Sequence, residues 1–151
     1  MKIILFAGLL ASISAQAFDG RIQEGDELEI RIKQQIRIPM GRELISFGPA
    51  VDDRTMNSCG VKMKENSKLD RHIEFGKTFK TRVNHGEKGI FPSLILSPRN
   101  PSSKISYFEI SMFFGQIDTY ERLKRSLDYQ CVSFELIGHR PGPLENSVSV
   151  E

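Results

Sequence analysis

From Glu27 to Ile38 the chain repeats with a period of two. Leu28, Ile30, Ile32, Ile36 and Ile38 occupy even positions, interrupted by Gln34, and every odd position is charged or Gln. A helix would scatter these side chains around its axis, because its period is about 3.6 residues, whereas a strand sorts them into one dry and one wet face. The segment therefore predicts a long half-buried strand, ended by Pro39 and a turn at Gly41.

The same rhythm recurs downstream. Leu44 to Phe47 reads as a short strand, and Cys59, Val61 and Met63 alternate with Lys62 and Lys64. Ile73, Phe75, Phe79 and Val83 share one parity, which Gly76 would kink or bulge. Leu94-Ile95-Leu96 is a short apolar run with both faces covered. In 104–114, Phe108, Ile110, Met112 and Phe114 take one side and Ile105 and Tyr107 the other, and 129–137 reads as the final strand. One segment departs from this pattern. Asp118-Thr119-Tyr120-Glu121 has capping-box spacing with Asp118 as the cap, and Tyr120, Leu123 and Leu127 follow at helical intervals, predicting a short helix over 119–127. The expected fold is all-β, an antiparallel β-sandwich or small open barrel of about seven to eight strands with that one helix.

The start of the chain reads differently. Met1-Lys2 is followed by an apolar run over 3–10, broken by Gly8, and then by Ala15-Gln16-Ala17, the pattern of a cleaved signal peptide over 1–17. The run is shorter than the roughly 20 residues a membrane-spanning helix needs, so no integral membrane segment is expected after cleavage. Residues 18–143 then form a single β-domain and 144–151 a flexible C-terminal tail, in a periplasmic or secreted protein. The chain holds two cysteines, Cys59 and Cys131, and export makes them a disulfide. Their parities conflict. Cys59 lies on the apolar side of its strand, but Cys131 lies opposite Val132, Phe134 and Leu136. A bulge near residue 131 is the simplest reconciliation; a disulfide crossing at a sheet edge, or a strand buried on both sides, would also serve.

Function is less legible. A chain of 151 residues with 39% hydrophobic content is enough for one core, and a net charge of +2 is too weak for a nucleic-acid binder. Tyr129-Gln130-Cys131, with Cys59 upstream, resembles the tyrosine-corner spacing of immunoglobulin domains, although the chain has no Trp for their core. Gly25-Asp26-Glu27-Leu28-Glu29-Ile30 resembles the opening of bacterial polysaccharide-export proteins, and a turn entering a strand accounts for the same six residues. His72, His85 and His139 lack metal-ligand spacing, Asp52, Asp53 and Asn57 lack that of a calcium loop, and no nucleophile elbow is present. No catalytic residue, metal or cofactor is therefore assigned.

One basic feature stands out. Lys62 and Lys64 point away from the apolar side of their strand, as do Lys80 and Arg82 from theirs. If the two strands are neighbours, these four cations share an exposed face suited to an anionic envelope polymer or an acidic protein surface. The leading reading is an exported, disulfide-stabilised, non-catalytic binding domain. The alternatives are a small envelope-acting hydrolase with a site assembled from loops, and a structural subunit of an envelope assembly.

Overall fold

The computed structural model describes residues 20–47, 58–85, 93–111 and 119–143. The strands are β1 (Glu27–Ile32), β2 (Ile36–Ile38), β3 (Leu44–Phe47), β4 (Ser58–Met63), β5 (Arg71–Ile73), β6 (Thr78–His85), β7 (Ser93–Pro98), β8 (Ile105–Ser111) and β9 (Phe134–Arg140), with one helix, α1 (Tyr120–Gln130), before β9. The fold is all-β. Seven strands form an antiparallel sheet in the order β3-β4-β8-β7-β6-β1-β9, and β2 and β5 pair separately. The large sheet keeps β3 and β9 as edges, so it is not a closed barrel.

The alternation in 27–38 is realised in full, for Leu28, Ile30, Ile32, Ile36 and Ile38 are all buried. The segment is nevertheless two strands, not one. At Lys33 and Gln34 both backbone N–H groups turn to the Ser133 carbonyl, and the chain leaves the large sheet to pair with β5. The polar residue that breaks the rhythm thus marks the place where the ladder changes partner. Phe75 is not a core residue. It lies in the turn between β5 and β6, where Gly76 takes a left-handed φ of 80°, and it is 73% exposed. Ile105 faces the core despite its odd position, because the β4–β8 register slips between Lys62 and Met63.

The helix is longer than its periodicity suggests and is capped one residue later. The Thr119 hydroxyl accepts the Arg122 N–H, whereas Asp118 lies outside the described residues. Leu123 and Leu127 are buried and Tyr120 is half-buried, as the spacing required. Because α1 runs through Gln130, the last strand begins at Phe134, and Cys131 caps the helix. The parity conflict disappears with this change, since Cys131 belongs to no strand. Its sulfur meets Cys59 with the two Cα atoms 5.9 Å apart, forming the expected disulfide. Tyr129, on the exposed side of α1 at 90% exposure, makes no tyrosine corner.

The large sheet is strongly curled. β4 and β9 are five places apart in the strand order, about 24 Å on a flat sheet, yet the disulfide joins β4 to the residues leading into β9. Phe79, Phe108 and Phe134, from β6, β8 and β9, meet inside the curl. α1 and the β2–β5 pair contribute Leu123, Leu127, Ile36, Ile38 and Ile73 to the same core.

Candidate functional site

The four cations singled out by the sequence do not form one patch. β8 and β7 lie between β4 and β6, so the strands are not neighbours. Lys62 is half-buried, with its ammonium 5.8 Å from the centre of the Tyr107 ring. Lys80 and Arg82 lie directly opposite Glu29 and Glu27 of β1. Cross-strand acids therefore offset much of the charge on that face.

Charge gathers instead where β5, the start of β6 and the turn between β7 and β8 meet. They enclose a cleft of about 870 Å³. Arg71, Lys77, Lys80, Arg99 and Lys104 line it, together with His72, and no carboxylate does so among the described residues. Its floor is apolar, with Met63, Ile73 and Ile105 nearly buried and Phe79 half-buried. Lys64 joins at one margin. Its ammonium donates to the Pro101 carbonyl, and it shares a smaller adjoining pocket with Arg71, Lys104 and the carboxylate-bearing Glu65.

Local structure explains why these side chains converge. Thr81 pairs with Pro98, and the Arg99 N–H continues that ladder to the Lys80 carbonyl, which brings the end of β7 beside the start of β6. The turn after Arg99 is an Asx turn. Asn100 Oδ1 accepts both the Ser102 N–H and the Ser102 hydroxyl, and Lys104 follows. Lys77 stands over the Phe79 ring at 5.3 Å, a cation–π contact that holds the ammonium near the cleft floor. Arg71 donates to the Arg42 carbonyl, while its Nε–H is buried with no hydrogen-bond partner among the described residues. A buried donor of this kind is costly unless a ligand or solvent meets it. Arg99 is paired with Glu27, which lies outside the cleft.

Like charges lining a concave wall focus a positive potential, and the arrangement can hold an anion with an apolar portion against the floor. Of the cations proposed from sequence, Lys80 lines the cleft, Lys64 its margin, and Lys62 and Arg82 stand elsewhere. Arg71, Lys77, Arg99 and Lys104 were not foreseen. All four sit in turns or at strand ends, where a two-residue period carries no information, and the β6–β7 register, extended by the Arg99 N–H to the Lys80 carbonyl, brings the start of β6 beside the end of β7.

A second polar cluster lies inside the protein. His139 Nε2 is 2.9 Å from Asp26 Oδ2, and their side chains are 2% and 7% exposed. An ionised carboxylate can only accept, so the ring nitrogen carries the proton. Asp26 also accepts the Gln23 and Gly142 N–H groups, and Tyr120 packs on the imidazole. Burial pushes the Asp26 carboxyl up, but the Gly142 N–H, His139 and the Gln23 N–H together hold it below its ordinary value. An Asp–His pair so enclosed is out of reach of substrate. It binds the loop before β1 to the segment after β9.

His72 lies exposed on β5, and His85 ends β6. Asp52, Asp53 and Asn57 fall outside the described residues, as do 1–17 and 144–151. Among the described residues, no three His, Cys, Asp or Glu side chains gather as metal ligands would, and no helix is long and apolar enough to cross a membrane. No family model matches the chain, nor does any curated protein or solved structure.

Proposed function

We propose that this chain is an exported, disulfide-stabilised binding domain without catalysis of its own, which takes an anionic envelope polymer into the cleft between β5, the start of β6 and the β7–β8 turn. The single observation carrying this reading is the sign of the lining: five Lys and Arg residues, of which Lys80 also faces Glu29 and Arg99 also bonds Glu27, and, among the described residues, no carboxylate in the lining itself. An ordinary solvated surface mixes both signs, as the outer face of β1 and β6 does, where Glu27 stands across from Arg82; Lys80 lies where that face borders the cleft. Export to the periplasm or medium is supported by the leader-like 1–17 segment and by the Cys59–Cys131 bridge, a bond that persists in oxidising compartments.

The test is titration of the protein recovered from the periplasm with long-chain polyphosphate, with polygalacturonate, and with neutral dextran as control. Binding of at least one polyanion, salt-sensitive and weakened by Lys104→Gln and Lys77→Gln, is the expected result. The two polymers distinguish phosphate from carboxylate recognition. Equal affinity for dextran, or polyanion binding indifferent to both substitutions, would overturn the reading.

A further inference from the structure

Arg99 belongs to two cavities. Besides the cleft, it lines a pocket of about 160 Å³ framed by Arg82, Arg140, Glu27 and Pro141. The sheet register accounts for this grouping. Glu27 of β1 lies opposite Arg82 of β6 on one side and opposite Arg140 of β9 on the other, and Arg99 reaches in from the end of β7 to bond its carboxylate. Three arginines thus share a pocket with one carboxylate, which Arg99 bonds. Each guanidinium carries five N–H donors, far more than two carboxylate oxygens can accept, and the local charge stays near +2. Arg82 and Arg140 are exposed, so this excess faces solvent.

We infer that this pocket is a second anion subsite, joined to the cleft through Arg99, and that the ligand is a linear polyanion long enough to occupy both. The inference rests on the cleft reading and narrows its ligand class. Lys104, Lys80, Arg99 and Arg140 mark out a cationic path from the β7–β8 turn across β6 and β1 to β9. Three strand spacings separate β7 from β9, about 14 Å along a flat sheet. An anion smaller than this fills the cleft alone. A chain of regularly spaced charges continues past Arg99, whose fork can contact the ligand while Glu27 keeps it oriented. Bidentate geometry suits phosphodiester or carboxylate groups, which Arg recognises better than Lys does.

The experiment compares tripolyphosphate with long-chain polyphosphate on the wild-type protein, Lys104→Gln and Arg140→Gln. Of the cleft and the second pocket, Lys104 lines the first and not the second, and Arg140 the second and not the first. Lys104→Gln should weaken both ligands. Arg140→Gln should leave tripolyphosphate unchanged, weaken the long chain by roughly three- to tenfold, and lower its salt slope by about one. If Arg140→Gln is silent with both ligands while Lys104→Gln weakens both, the second subsite is refuted and the cleft stands. Equal losses with both ligands would mean independent sites and overturn the continuous path. Failure of the wild-type protein to bind either phosphate chain, or polygalacturonate chains of matched lengths, removes the cleft and the inference together. Should Arg140→Gln not fold, Arg82→Gln reports on the same pocket.

Discussion

The rings of Phe108 and Phe134 meet edge to face at 5.3 Å, although β8 and β9 stand four places apart in the sheet, about 19 Å if it were flat. Both side chains are fully buried. The contact exists because the sheet curls, and it helps keep the sheet curled. Truncating Phe134 to Ala should cost about 3–5 kcal/mol of unfolding free energy. Phe79, half-buried on β6 and 5.2 Å from Phe108, should lose less on the same change. Urea unfolding of the two variants ranks them.

The Cys59–Cys131 bridge closes a separation of 72 residues. Replacing both cysteines by Ala should lower stability by about 4 kcal/mol on the chain-entropy account. Thiol titration of denatured, unreduced protein should find no free thiol, and two would show that the bond does not form in the folded chain.

Asp26 gives the protein an acid-sensitive joint. Its folded value lies below the ordinary 3.8, so its contribution is fully present above that value and fades as pH falls through the lowered one. Asp26→Asn should cost about 1–3 kcal/mol at neutral pH and flatten the stability profile below about pH 4. A profile of unchanged slope would show that Asp26 carries none of it. Thermal unfolding across pH 2 to 7 reads this directly.

Gly142 reports on the same joint from the backbone. A Cβ there would stand 2.5 Å from the Gly25 carbonyl oxygen and 2.7 Å from its carbon, both main-chain atoms that cannot swing aside. Gly142→Ala should therefore destabilise the fold by about 1–3 kcal/mol and loosen the segment after β9, seen as faster amide exchange at Gln23 and Gly142.

Lys62 and Lys80 provide an internal comparison for the binding surface. Lys80 lines the cleft and Lys62 does not. Lys80→Ala should weaken polyphosphate measurably, whereas Lys62→Ala should leave the affinity unchanged. Equal losses would return the binding surface to the broad basic face suggested by the sequence.

The fold was largely readable because alternation is a local property. Every even apolar position from Leu28 to Ile38 is buried, and Leu123 and Leu127 fall where a helical face puts them. Two of the misreadings share one cause, a change of partner or element that leaves parity intact, whereas Ile105 was misplaced because a register slip shifts parity. Gln34 marks a switch from β6 and β9 to β5, and residues 129–131 looked like strand because the end of α1 leads almost directly into β9. The cleft was hidden for a different reason. Most of its cations come from turns and strand ends that meet only when strands distant in the chain pair, and no single stretch of sequence encodes that meeting. The pairing of Asp26 with His139 was equally invisible at a separation of 113 residues.

Glu27 opens β1 and Arg140 closes β9, and the two are ladder partners. The first and last described strands thus lie side by side and antiparallel, with their outer ends together. Tension applied through residues 20 and 143 would part this ladder rung by rung, like a zip, instead of loading all its hydrogen bonds at once. Mechanical resistance would then rest on the Asp26 joint at the mouth of the zip and on the sulfur bridge beyond its far end. A tether attached at both ends would meet the joint first, then a compliant ladder, and then abrupt stiffness at the bridge.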